Sequence, residues 1–268
     1  MKGIALVVDE PVNLEIHCLS WRNTNLKKRA AFLAILILST SALVTGQTRL
    51  PRKSDHELVN YVRAVRVQIM VSDPFGGAVT GAGVWISQAI VATCWRNLSE
   101  NPDAVITIKI GAGKGKTLEG KLVNQDIQKN IAIIQVNPNR STKDLKLATT
   151  VPIPAAVLPR VGDKIIVPGS RPVKNSSPSL VVQHAPVSAV RPVKELGDQV
   201  KILVSNVKAY GYSGEPVLDR SGRLLGILEG PFPSVDRERW GTTEVVIPIK
   251  TVLELVERLE KKTVASPR

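Results

Sequence analysis

The chain has 268 residues, 43 % of them hydrophobic, which is enough to bury a sizeable core and excludes a disordered tail. Its net charge of +13 comes without any dense Lys/Arg block interleaved with aromatics, so no nucleic-acid groove is expected. Scattered glycines (19) and prolines (18) between short Val/Ile-rich runs predict many short strands and an all-β fold.

Residues 27 to 46, KKRAAFLAILILSTSALVTG, carry a basic start, an apolar stretch from Ala30 to Leu38 that softens towards Val44, and small residues at the end. This is the pattern of an export signal, and at roughly 15 apolar residues it falls short of the ~20 that a spanning helix uses. The 26 residues before it are long for a signal peptide, so either translation begins further in and the segment is cleaved, or residues 30 to 46 stay as a signal anchor. The expected location is therefore exported, periplasmic or secreted, with membrane contact only through this segment if it is uncleaved. Cys18 precedes the apolar run and Cys94 follows it at a distance, which gives neither a lipid-anchor cysteine nor a disulfide framework.

Beyond a polar linker, DHELVNYVRAV predicts a short helix leading into VRVQIMV, where Val65, Val67, Ile69 and Val71 alternate onto one face. GAGVWIS, AVITIKI, TLEGKLVN and NIAIIQV continue the series, and about six short strands suggest a barrel. Residues 138 to 162, with four prolines, read as a connection. A second series follows: DKIIVPG, SLVVQHAPVSAV, QVKILVS, EPVLD, RLLGILEG and TEVVIPI. The period then changes, and Ile249, Val252, Leu253, Val256 and Leu259 at helical spacing predict a terminal amphipathic helix. The expected organisation is a leader (1–46), a linker with a first barrel (47–150), a second barrel (151–248), and a helix with a tail (249–268).

Two apparent cofactor motifs fail on spacing. GAGKGKT, residues 111 to 117, ends like a phosphate loop, but Ile110 stands where its first glycine is needed and the segment joins two strands rather than a strand and a helix. The histidines, at 17, 56 and 184, stand far apart without metal-ligand spacing. No cofactor and no metal are expected. AYGYSGEPVLD, residues 209 to 219, is the remaining candidate, because Gly211 and Gly214 flank Ser213 on a tight turn whose amides could face an oxyanion.

Two barrels, a late Gly-x-Ser-Gly and a helix after VVIPI resemble the trypsin-like serine proteases, most closely the HtrA (Deg) branch. GAGVWIS, VATCWRNLSE, VNQDIQKNIAIIQV, VGDKIIVPGS, PVSAV, GYSGEPVLDRSGRLLGI and TEVVIPI follow in the family's order over residues 60 to 260. The resemblance implies a double six-stranded β-barrel with a C-terminal α-helix, and it puts the nucleophile at Ser213 with an oxyanion turn at Gly211 and Ser213. The histidine position falls on Arg96, or on Trp95 if the alignment shifts by one, and the aspartate position falls on Asn130.

These replacements bear directly on chemistry. A serine hydroxyl needs a base to take its proton, and a guanidinium, always charged, cannot accept one. In such triads the base is worth roughly 10⁶ in turnover and the carboxylate alone roughly 10⁴. Glu215 also replaces the second glycine of the family's Gly-x-Ser-Gly-Gly-Pro. The expectation is a pseudoprotease that binds a peptide or protein in the inter-barrel cleft, lined by Trp95, with Arg96 and Glu215 opposing Ser213 and ion-pairing across it. The alternatives are an active endopeptidase using Ser213 with a non-standard base, and a basic binder of anionic envelope polymers.

Overall fold

The computed structural model describes residues 51–265 apart from 75, 99, 102, 111–115, 137–151, 156, 174, 175, 206, 208–212 and 233–242. The export-like stretch at 27–46, most of GAGKGKT and Gly211 lie outside these residues. Among the described residues no helix is long and apolar enough to cross a membrane.

Helix α1, Asp55–Val65, starts on a capping box: the Glu57 N–H donates to Ser54 Oγ and the Ser54 N–H donates to the Glu57 carboxylate. The chain runs straight from it into strand β1 (Arg66–Ser72), followed by β2 (Ala78–Trp85), β3 (Ile90–Thr93), a single 3-10 turn (Trp95–Asn97), β4 (Val105–Ile110), β5 (Lys116–Asp126) and β6 (Ile131–Val136). These six pair antiparallel in the closed order β1-β2-β3-β6-β5-β4. The second series is β7 (Lys164–Val173), β8 (Ser176–Val193), β9 (Gln199–Val204), β10 (Pro216–Asp219), β11 (Leu224–Pro231) and β12 (Glu244–Pro248), closed as β10-β11-β12-β9-β8-β7. Helix α2, Ile249–Ala265, ends the described chain. This is the double six-stranded barrel with a C-terminal helix that the resemblance implied. The last two residues of GAGKGKT, Lys116 and Thr117, begin β5, and β4 and β5 pair antiparallel up to Ile110 and Lys116.

Alternation decides what each strand side faces. In β1, Val67, Ile69 and Val71 point into the first barrel, where they meet Trp85, Val91, Ile108 and Ile134. In β6 both sides are covered, because Ala132, Ile134 and Val136 enter that interior while Ile131 and Ile133 face the second barrel. This explains why NIAIIQV reads as a nearly unbroken apolar run. The layer between the barrels collects Leu58, Val62 and Val65 of α1, Ile166, Leu218, Ile227 and Ile247 of the second barrel, and Ile249, Val252 and Leu255 of α2. Each such side chain contributes about 1.5–3 kcal/mol when fully buried, so this layer fixes the barrels against each other and positions whatever lies across their junction. The helix spacing missed Leu255, which is buried beside Val252.

One carboxyl group in the second barrel makes stability pH-dependent. Glu244, at the start of β12, is buried with its Oε2 lacking a hydrogen-bond partner among the described residues, and burial pushes its pKa up to about 7. Its folded pKa lies above the unfolded one, so the folded state holds a proton that the unfolded chain has already released. Stability is therefore expected to fall as pH rises from the ordinary carboxylate range to about 7. Urea unfolding midpoints measured between pH 4.5 and 8 should show this fall, and Glu244→Gln should make it shallower.

Candidate functional site

The 3-10 turn of the first barrel meets the Ser213 turn and β11 of the second, and three polar constellations form at that junction. The first holds Ser213. Its Oγ donates to Asn97 Oδ1 at 2.7 Å, while Asn97 Nδ2 donates to the Ser213 carbonyl at 2.7 Å and to Thr93 Oγ1 at 2.9 Å. Thr93 spends its own proton on the Ala82 carbonyl at 2.6 Å, so it must accept from Asn97, and this fixes which way the amide points. Asn97 is buried, and its side chain fills the space that a Cβ at Gly81 would take, 2.3 Å from Asn97 Cγ. Ser213 is thus clamped through both its hydroxyl and its carbonyl by the residue after Arg96. No hydrogen bond joins it to Arg96 or Asn130 among the described residues.

The second constellation surrounds Glu229 on β11. Lys201, buried on β9, donates to Glu229 Oε2 at 2.7 Å, and Asn130 Nδ2 donates to Oε1 at 3.2 Å. Arg96 approaches the same Oε1 with Nη2 at 3.5 Å, and its side chain is 53 % exposed. Asn130 also accepts the Arg96 N–H on Oδ1 at 3.0 Å and the Trp95 N–H on its carbonyl at 3.2 Å. Its φ of 57° is in the left-handed region, which asparagine tolerates better than most residues. An aspartate at 130 would set a second carboxylate against Glu229, so the amide here complements the acid on β11.

The third constellation corrects the expected pairing of Arg96 with Glu215. Glu215 is fully buried, with no surface left to line a cleft, and Arg66 at the start of β1 grips it bidentately, Nε to Oε2 at 2.6 Å and Nη2 to Oε1 at 2.7 Å. Burial pushes its carboxyl up from the usual range, and the two Arg66 hydrogen bonds oppose that rise. The carboxylate that replaced a glycine has therefore become a link from the serine turn to the first barrel, and Arg96 turns to Glu229 instead. Trp95 is half-buried against the first barrel's core.

Other reactive groups nearby are occupied. The Cys94 thiol donates to the Leu228 carbonyl at 3.4 Å, and burial, with Glu229 adding to it, pushes its pKa up to about 12, which keeps it an inert thiol. His184 Nε2 sits 3.1 Å from Asp55, and the His56 ring contacts Asn60, so both engage α1 residues. Among the described residues no group of three His, Cys, Asp or Glu is placed to hold a metal ion. Asn97, Glu229, Lys201 and Arg66 were missed from sequence. The available signals were a lone acid in the apolar run LLGILEG and a lone lysine in QVKILVS.

Two closed antiparallel barrels with a glycine-flanked serine turn at their junction define the trypsin-like fold. The chain belongs to the trypsin-like peptidase domain family, which matches residues 81–227. Among solved structures it is similar to the serine endoprotease from Yersinia pestis, with a TM-score of 0.58, 18 % identity, and coverage of 79 % of this chain and 68 % of that one. It is also similar to a protease from M. tuberculosis in its active form, with a TM-score of 0.59, 18 % identity, and coverage of 80 % of this chain and 92 % of that one. Likeness at this identity speaks for the fold. No curated protein sequence matches the chain.

Proposed function

We propose that this trypsin-like chain is a non-proteolytic member of its family that acts by binding a peptide or protein at the junction of its barrels, outside the cytoplasmic membrane. The observation that carries the reading is the hydrogen bond from Ser213 Oγ to Asn97 Oδ1 at 2.7 Å. A neutral amide oxygen orients a hydroxyl but does not take its proton at neutral pH, so the bond that would activate a nucleophile here holds it. Arg96, aligned with the histidine position, is permanently protonated and directed to Glu229, which supports the same conclusion. The outside location rests on the export-like pattern of residues 27 to 46.

The test is chemical. The protein is expected to resist a fluorophosphonate probe and to leave casein intact over hours, as judged by mass spectrometry. Labelling of Ser213, together with casein turnover that disappears in Ser213→Ala, would overturn the reading in favour of an endopeptidase with a non-standard base.

A further inference from the structure

Resting on the binding reading above, we infer that Arg96 anchors an anion subsite at the barrel junction and receives a carboxylate of the bound peptide. The argument begins with charge. Glu229 is one carboxylate facing two permanent or buried cations, Lys201 at 2.7 Å and Arg96 at 3.5 Å. Lys201 takes Oε2, and Asn130 already donates to Oε1, so Arg96 holds only a long, shared contact with a carboxylate that others have satisfied. The other acid at the junction, Glu215, is spent on Arg66 through two hydrogen bonds. Among the described residues of these constellations Lys201, Arg96 and Arg66 face Glu229 and Glu215, so one positive charge is left over, and it sits on Arg96.

Geometry makes that charge usable. A guanidinium carries five N–H donors in a planar fork, and among the described residues only Nη2 of Arg96 has an ion-pair partner. The side chain is half-exposed, and its backbone is pinned by the 3-10 turn and by the Arg96 N–H to Asn130 bond at 3.0 Å, so the backbone that carries the fork needs no ordering on binding. Gly230, which follows Glu229 on β11, has no side chain to cover Nη1, a Cβ there being 3.8 Å away. A planar carboxylate fits such a fork bidentately, and the carboxylates of a peptide are its C-terminus and its Asp or Glu side chains.

The experiment titrates the full chain with three probe peptides, N-acetyl-Ala-Ala-Val as the free acid, the same peptide as its C-terminal amide, and N-acetyl-Ala-Glu-Val amide, following the backbone amide resonances of residues 95 to 97 by NMR, which the parent and the variants share. A carboxylate-bearing probe is expected to bind at least about tenfold more tightly than the neutral amide, as a charge-assisted hydrogen bond would give. That preference should vanish in Arg96→Gln and return in part in Arg96→Lys. Both variants keep the backbone N–H that Asn130 accepts, and their thermal melts should lie close to that of the parent. Preference for the free acid assigns the subsite to a C-terminus, and preference for the glutamyl amide assigns it to an acidic side chain. Equal binding of all three probes, no binding of the carboxylates, or a preference that survives Arg96→Gln overturns the subsite. Hydrolysis of the probes, read separately by mass spectrometry, decides the non-proteolytic reading, and the carboxylate-against-amide comparison decides Arg96 in either case.

Discussion

Glu229→Leu is expected to destabilise the protein by about 3–5 kcal/mol, because it leaves the Lys201 ammonium buried without its carboxylate. Lys201 is 1 % exposed, so water cannot replace the lost partner, and the stranded lysine either stays charged at high cost or gives up its proton. Asn130 Nδ2 loses its acceptor in the same step. The double variant Lys201→Met with Glu229→Leu should recover much of the loss, since a well-packed apolar pair of similar volume often matches a buried ion pair. Urea unfolding of the parent, both single variants and the double variant gives the coupling. If Glu229→Leu unfolds at the parent's midpoint, the pair does not hold the second barrel as described.

Gly214→Ala should cost more still, above about 4 kcal/mol, and is expected to lower the melting temperature by about 10 °C or more if the protein folds at all. Two separate effects combine there. Gly214 has φ of 92°, which a side chain rarely adopts, and an added Cβ would stand 2.0 Å from the Ala82 carbonyl oxygen and 2.7 Å from Thr93 Oγ1. The turn cannot retreat. The Gly214 N–H donates to the Leu228 carbonyl at 2.7 Å, and the Ser213 carbonyl accepts from the Ala82 N–H at 3.0 Å, so moving the turn breaks contacts to both barrels. Gly162→Ala separates the two effects, because Gly162 has a φ of 89° with nothing within 4 Å of its Cβ position, and its cost should be only the roughly 1–3 kcal/mol of backbone strain. Equal melting temperatures for the two variants would mean that the close approach of Gly214 to β2 contributes nothing.

These two sites show how differently the sequence reveals its parts. Val67, Ile69 and Val71 could be placed on one face of β1 from their two-residue spacing, and α2 from its change to helical spacing, because both patterns depend only on near neighbours. The serine turn was also visible, since a glycine at position 214 announces a backbone that side chains do not tolerate. The order of motifs carried the rest, down to a double barrel from residues that share few details with the family.

Partners were a different matter. Alternation indicates that Lys201 and Leu203 share a strand face, but nothing local says that β9 brings that lysine to Glu229, 28 residues on. Arg66 and Glu215 lie 149 positions apart, and Ser213 and Asn97 lie 116 apart. Arg96 was aligned with the histidine position, yet the 3-10 turn directs Asn97, one residue later, to the serine. The sequence by itself determined the strands, the two helices, the serine turn and the family. Which charge meets which was decided only by the tertiary structure: packing of the barrels through the layer containing Ile131, Ile133, Ile227 and Ile247 brings Arg66 to Glu215, and closure of the second barrel brings Lys201 to Glu229, since burial removes the water that would otherwise have satisfied Glu215 and Lys201 and makes each accept the partner that geometry supplies.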